Sequence, residues 1–378
     1  DVYASMFGGI PTAEIDEMSE FWTAFPALRK ALFTESGIPY VNVSTPDIKS
    51  AIKSHPDVVG FENAFNAAFS TFPAFLKEEL IDRMGSIEIS KAETVLSADI
   101  FERLKEIPLI DKYAAFQLLD DDWTGISIDL EMLQTEGFAA TKKVDPNLVI
   151  KKKDGKDQEV QEGWVGHIIP FDLVQATLLS TETDELHGLE SRLAEIPSEY
   201  ESILDEMTEE DKESCNDVLT EEGDAFVPKE VSKKIKELKK DRSPESVALR
   251  TLLEKVESLV KSEKEIKAEI KAKGAALQAK TKDTIESLSD EQALNLLEKK
   301  WIAPLIESIH KLPDTVIDSL VSKIQALQNK YATTFFEVEQ QISETEATLS
   351  GMIDDLEGNE YDMLGLNELK KLLGGSAE

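Results

Sequence analysis

The chain has 378 residues, of which 41 are Lys or Arg and 75 are Asp or Glu, so its net charge is −34. We do not expect so acidic a chain to wrap nucleic acid with its whole surface, because neutralising phosphates takes an excess of Lys and Arg. Hydrophobic residues make up 41% of the sequence, enough for a folded core, and the length predicts two or three domains. One cysteine, Cys215, excludes an intrachain disulfide, and with only four histidines it disfavours a structural zinc site. These counts fit a reducing cytoplasm, and no apolar run approaches the roughly 18–20 residues of a membrane span.

The N-terminus begins with Asp1 rather than Met and carries no charged segment followed by an apolar one. From these residues we do not expect the start of the sequence to be a signal peptide. We therefore expect the chain to be a fragment of a longer protein, so that its function is one part of a larger activity.

Residues 1–123 carry apolar side chains at a spacing of three or four, which predicts a helical domain. The clearest stripe is Phe61, Phe65 and Phe69, which we interpret as core rather than as a cofactor site. Residues 124–170 are richer in Gly and Lys. There Asp154-Gly155 separates two short runs that favour strands, and this predicts a β-hairpin.

From residue 171 onward the sequence favours helix, and we predict a long-helix bundle or coiled coil over 171–357 with a tail at 358–378. The predicted fold class is therefore mainly α: a multi-helical domain, a small hairpin, and long coiled-coil-like helices in the C-terminal half. Narrow apolar stripes over 245–277 and 314–357 predict an antiparallel bundle with an open apolar seam. The candidate partner interface on this seam consists of Leu252, Val256, Leu259, Ile324, Leu327 and Tyr331.

Segment 229–282 is basic within an acidic chain, with 16 Lys or Arg against 9 Asp or Glu. Its charge of +7 leaves −41 on the remainder. One interpretation is a direct contact with the DNA backbone. We favour the other, in which the segment pairs with acidic residues of the same chain, because such pairing needs no partner.

Motifs for independent chemistry are absent from the sequence. It contains no P-loop, no GxGxxG after a strand, no HExxH and no CxxC. Acidic neighbours disfavour a thiolate at Cys215. We interpret the scattered histidines as surface or capping residues; they are His55, His167, His187 and His310. We interpret Asp120–Asp122 as a solvated helix end, although carboxylates also suit Mg²⁺ or Ca²⁺. The sequence thus predicts no catalytic, cofactor-binding or metal-binding residue and favours a helical interaction module.

Three groups of phrases resemble one known family when they are taken together and in order. They are FGGIPTAEIDEMSEFWTAFPALRKALF (7–33); IPLIDKYAAFQLLDDDW (107–123); and EGWVGHIIPFDLV (162–174), with LEKKWIAPLIESI (297–309) and IQALQNKYATTF (324–335). They resemble the region that follows the catalytic domain in the methylation subunit of bacterial type I restriction-modification systems. The resemblance covers most of the chain. It departs from the family in the Lys-rich stretch between Trp123 and Gly163 and after Leu356.

In that family the subunit methylates adenine N6 on DNA with S-adenosylmethionine, through an Asn-Pro-Pro-aromatic motif and a glycine-rich loop. Neither motif occurs here, so the resemblance implies a non-catalytic C-terminal part with no cofactor of its own. That part would position the catalytic domain and dock the specificity subunit, while a restriction subunit completes the complex and DNA is contacted mainly through the complex. The alternative left open is a generic coiled-coil scaffold. An Asn-Pro-Pro-aromatic motif encoded upstream of Asp1 would distinguish the two.

Overall fold

A computed structural model of the chain describes residues 9–34, 40–153, 156–220, 222–241, 243–333, 335–354, 356 and 359–372. These residues are mainly helical, which confirms the predicted fold class. No helix in these ranges is both long and apolar enough to cross a membrane.

The chain forms two compact units that are discontinuous in sequence. The first unit comprises Asp1–Glu79, Glu88–Thr124 and Ala303–Glu378, and the second comprises Leu80–Ile87 and Gly125–Ile302. The domains predicted from the sequence are consecutive segments instead. Composition records where the character of a chain changes, but it does not record which distant helices pack together.

The first part of the chain is built from short helices with one small sheet. Its helices are α1 (Thr12–Asp16), α2 (Ser19–Ala24), α3 (Leu28–Leu32), α4 (Ile48–Lys53), α5 (Pro56–Phe69), α6 (Phe72–Leu76), a π-helical turn (Lys77–Asp82), α7 (Ile89–Arg103) and α8 (Lys112–Glu136). Pro56 begins α5 at a position where its missing N–H costs nothing, and His55 Nδ1 accepts from the backbone of Asp57 at 3.2 Å. The stripe of Phe61, Phe65 and Phe69 is buried, which confirms its interpretation as core.

A small antiparallel sheet lies outside the region of the predicted hairpin. Strand β3 (Tyr40–Val43) pairs with β1 (Ile10–Pro11) on one side and β2 (Phe33–Thr34) on the other. Strands of two residues are too short to show the alternation of apolar and polar side chains that identifies a strand in sequence. The sequence therefore contains no pattern that predicts strands β1 and β2.

The predicted hairpin is present as β4 (Val144–Lys153) and β5 (Lys156–Gly166), paired antiparallel with an irregularity between Pro146 and Leu148. The Asp154-Gly155 turn that predicted it lies outside the described residues. A 3₁₀ turn at Phe138–Lys142 precedes the hairpin.

The remaining elements are helices and one π-helical turn. They are α9 (Phe171–Leu178), α10 (Ser180–Glu206), α11 (Glu209–Ser214), α12 (Pro228–Leu238), α13 (Pro244–Glu286), α14 (Asp290–Leu297), a π-helical turn (Glu298–Ile302), α15 (Ala303–His310), α16 (Leu312–Lys330), α17 (Phe335–Asp354) and α18 (Glu360–Leu372). Ser243 caps α13, whose Pro244 is its first residue.

The apolar face of α13 is filled by α10 and α12 of its own unit. The core there joins Leu253 and Val256 of α13 to Ile203 of α10 and Val231 of α12. The apolar spacing predicts that this helix pairs with the segment 314–357. That segment forms two helices, α16 and α17. The stripe identifies which face of a helix is buried, but not which helix covers it.

Candidate functional site

Several polar side chains meet at the base of the hairpin, where β4 begins and β5 ends. The chain leaves β5 at Gly166, where its backbone comes very close to that of Ile169. A Cβ on Gly166 would lie 1.7 Å from the carbonyl oxygen of Ile169 and 3.5 Å from Ile285. Only glycine therefore lets the chain turn here. The turn places Ile168 and Ile169 in the core, where they are 2% and 0% exposed, before α9 begins.

Asp129 on α8 is a buried carboxylate at the centre of this region, with only 5% of its surface exposed. It accepts a hydrogen bond from Nε1 of Trp301 at 2.7 Å and a charged one from Nζ of Lys300. Lys300 Nζ also donates to the carbonyl oxygen of Ile168, at 2.7 Å. We call these four residues the Asp129 cluster. A buried carboxylate is tolerated when it is paired and hydrogen-bonded in this way.

His167 joins three segments around the same turn. Its Nδ1 lies 2.6 Å from Oδ2 of Asp145 on β4, and its Nε2 lies 3.1 Å from Oε1 of Glu136 at the end of α8. The bond to Asp145 and then that to Glu136 raise the pKa of His167, against the opposing effect of burial. Glu136 also accepts from Lys143 at 2.6 Å, and this bond, followed by the one to His167, lowers its pKa. The His167 ring, with a hydrogen bond on each nitrogen, therefore ties the hairpin to α8.

A cavity of about 630 Å³ opens beside these groups. Its lining includes the amides of Asn147, Gln175 and Gln278 as well as Lys300. Gln175 donates to Thr281, and Asn147 donates to a backbone carbonyl on β5. The cavity thus offers hydrogen bonds, but its cation is already committed to Asp129. We interpret the hairpin base as a structural junction rather than a reaction centre.

The candidate interface residues on α13 belong to the core of the second unit. Val256 is 0% and Leu259 9% exposed, and Leu252 is half-buried against the same core. Of these three, only Leu252 is accessible enough to touch a partner without unfolding.

The other three candidate residues lie on or directly after α16 in the first unit. Ile324 is fully buried, Leu327 is half-buried, and Tyr331 is 8% exposed. The hydroxyl of Tyr331 bonds to Glu14, whose pKa is lowered by Lys330 first and Tyr331 second. As partner contacts all six residues stay a prediction, with Leu252 and Leu327 the accessible members.

The cysteine, the acidic triplet and the two remaining histidines lie in environments that fit a structural or surface role. Cys215 is fully buried, and burial raises the pKa of its thiol. Asp121 accepts from Gln117 at 2.8 Å on α8. His310 contacts the ring of Phe65, and His187 is exposed. No group of three or more metal-ligating side chains suited to an ion occurs within the described ranges.

Several lysines of segment 229–282 pair with acidic residues from the preceding stretch of the chain. Lys273 lies 2.8 Å from Glu185, Lys255 lies 3.2 Å from Glu206, and Lys280 contacts Glu182. This geometry supports the intramolecular interpretation of the basic segment, because α13 meets the acidic α10 lengthwise.

An apolar stripe on α17 stays exposed within the part of the chain that the structure describes. Val338, Ile342, Leu349 and Met352 are 41%, 52%, 43% and 62% exposed, and with Thr345 they repeat at a spacing of four and three. We call these five residues the α17 stripe. Within the run predicted over 314–357, the candidate residues Ile324, Leu327 and Tyr331 lie on or directly after α16 rather than on α17. The signal that separates the helices is charge, since α17 has no basic residue.

Searches against protein-family models, curated proteins and solved structures found no match to this chain.

Proposed function

We propose that this chain is the non-catalytic C-terminal part of the methylation subunit of a type I restriction-modification system. In this role it positions the catalytic domain and docks the specificity subunit in a cytoplasmic complex that also recruits a restriction subunit. The family assignment rests on the order of the sequence phrases quoted above. The observation that carries the docking function is the α17 stripe.

The α17 stripe has the spacing of a coiled-coil seam rather than that of a wide globular face. Side chains alternating at intervals of four and three residues accept the side chains of a facing helix. The stripe leaves four large apolar side chains of one helix about half exposed to water. A contiguous apolar patch of this kind is unusual on a protein surface and marks an interaction site. A partner helix lying along the stripe would cover them.

The charge of α17 indicates what kind of helix fits. Between Phe335 and Asp354 there are five acidic residues and no basic one. Acidic residues flanking an apolar seam favour a partner with Lys or Arg at its own flanking positions, and they disfavour pairing with a second α17. The proposed partner is therefore a helix of the specificity subunit with an apolar seam and basic flanks.

The test is co-purification of the full-length methylation subunit with its specificity subunit. Ile342→Glu puts a charge in the centre of the stripe, where burial against a partner leaves it unpaired. Ala347→Glu adds the same residue to an exposed position on the opposite side of α17 and serves as the matched control. We expect both variants to keep their circular dichroism, the first to lose the specificity subunit and the second to retain it. Retention by both would remove the stripe from the interface.

The generic coiled-coil scaffold is the second candidate, and the same stripe would serve it. The coding sequence upstream of Asp1 separates the two. An Asn-Pro-Pro-aromatic motif there supports the methyltransferase assignment, and an open reading frame without it supports the scaffold.

A further inference from the structure

A second cavity, of about 300 Å³, lies between α10, α13 and the loop that precedes α12. Its apolar lining includes Tyr200, Leu204, Phe226 and Val260, which are partly buried and pack against the core of the second unit. We call this cavity the Tyr200 pocket. Its volume is at the lower end for binding pockets, so it suits a single side chain better than a cofactor.

Two aromatic rings form one wall of the pocket. The rings of Tyr200 and Phe226 have centroids 6.2 Å apart and are tilted by 51°. The hydroxyl of Tyr200 donates to Oε2 of Glu263 at 3.2 Å. Burial, and then the charge of Glu263, raise the pKa of Tyr200 to about 12. The phenol therefore stays protonated and holds the Glu263 carboxylate beside the rings.

Three carboxylates, from Glu201, Asp224 and Glu263, line the same pocket. The carboxylate of Glu263 forms an ion pair with Lys267 of the same helix at 2.5 Å. The carboxylate of Asp224 accepts a hydrogen bond from the hydroxyl of Thr220 at 2.6 Å. In the described part of the chain, no basic side chain forms an ion pair with Glu201 or Asp224. The pocket thus combines an apolar floor with more negative charge than the chain itself neutralises.

We propose that the Tyr200 pocket binds the side chain of an arginine in a basic peptide segment of a partner protein. The apolar stem of an arginine fits against Leu204 and Val260, and its planar guanidinium stacks on an aromatic ring. The same guanidinium reaches carboxylates with paired hydrogen bonds. An anionic ligand would be repelled, and a purely apolar one would cover carboxylates without pairing them.

This site lies on the second unit and is distinct from the α17 stripe, so it adds a contact that the docking proposal does not contain. The test uses the full chain and the blocked peptide acetyl-Gly-Leu-Arg-Leu-Gly amide. Methyl NMR of Leu204 and Val260 reports binding at the pocket itself. Spectra recorded at about 150 mM salt suppress diffuse attraction to the acidic surface. The comparison peptide carries citrulline, which keeps the shape of arginine without its charge.

Matched variants separate the pocket from general acidity. Glu201→Gln removes a carboxylate that lines the pocket, whereas Glu190→Gln removes an exposed one from the same helix, away from the lining. We expect saturable shifts of both methyl signals with the arginine peptide and at least about tenfold weaker binding of the citrulline peptide. Glu201→Gln should weaken binding about threefold to fivefold, and Glu190→Gln should leave it unchanged.

The opposite results overturn the proposal. Unmoved Leu204 and Val260 signals, equal binding of the citrulline peptide, or equal weakening by both variants would each exclude a specific arginine pocket. Tighter binding of agmatine than of the arginine peptide would show that the pocket takes a free amine rather than a polypeptide. Phe226→Leu keeps the floor apolar and removes one ring, and binding that survives it unchanged would exclude the stacking geometry.

Discussion

Replacing Gly166 with alanine should be among the most damaging single-methyl changes in this protein. The added Cβ would lie 1.7 Å from the carbonyl oxygen of Ile169, whereas a carbon–oxygen contact relaxes at about 3.3 Å. The backbone must therefore move by roughly 1.5 Å. Because Ile168 and Ile169 follow directly and are almost fully buried, the movement draws both out of the core and pulls the Ile168 carbonyl away from Lys300.

The magnitude follows from these losses. Each buried isoleucine contributes about 1.5–3 kcal/mol, and a hydrogen bond to a charged group contributes about 1.5–3 kcal/mol. Partial loss of the three gives a decrease of about 3–5 kcal/mol in the free energy of unfolding. Urea unfolding followed by circular dichroism measures it. The control is Gly188→Ala on α10, where nothing lies within 4 Å of the added Cβ and a helix interior favours alanine by up to about 1 kcal/mol. Equal stability of Gly166→Ala and the unmodified protein would refute the close approach.

Three further predictions concern other parts of the chain. Asp129→Asn leaves Lys300 without its counter-charge, so it should lower the free energy of unfolding by about 3–5 kcal/mol in urea titrations. A loss below about 1 kcal/mol would contradict a buried ion pair. The raised pKa of His167 means that its contribution to stability is complete below about pH 6.5 and is lost as the pH rises through the raised value. Thermal unfolding should therefore show a loss of stability as the pH rises above about 6.5 that His167→Gln removes, and a pH profile unchanged by the substitution would count against it. Leu327→Glu should stay folded by circular dichroism and fail to co-purify with the specificity subunit; loss of helicity would instead place Leu327 in the core.

Periodicity predicts the helical class and the Asp154-Gly155 turn predicts the hairpin, because both signals come from residues that are close in sequence. The buried stripe of Phe61, Phe65 and Phe69 shows this for α5, where each apolar residue recurs at a helical interval. The two-residue strands β1 and β2 show the limit, since pairing with β3 leaves no pattern in so short a segment.

The hairpin base could not be predicted for a different reason. Trp301 and Asp129 are 172 positions apart in sequence, and no spacing rule connects them. His167 looked like an isolated surface histidine because its partners, Asp145 and Glu136, come from two other elements. One signal was available, since Gly166 lies in the phrase EGWVGHIIPFDLV of the family resemblance. A glycine within such a phrase is expected where a backbone approach leaves no room for a Cβ.

The candidate interface shows that heptad-like spacing does not tell which helix covers a stripe. Val256 and Ile324 were chosen for their heptad-like spacing, and both are fully buried. Spacing describes a face that something covers, and in these two cases other helices of the same chain contribute to the covering. The exposed α17 stripe has the same spacing, so spacing alone does not separate it from the others.

Under the proposed function, the specificity subunit covers the α17 stripe. Hydrogen–deuterium exchange of the full-length protein that contains this chain, measured alone and with the proposed specificity subunit, tests this directly. The account predicts that peptides covering 338–352 become protected in the complex, while peptides covering the buried α13 face around Val256 keep their rate. Unchanged exchange over 338–352 in a complex of confirmed stoichiometry would contradict it.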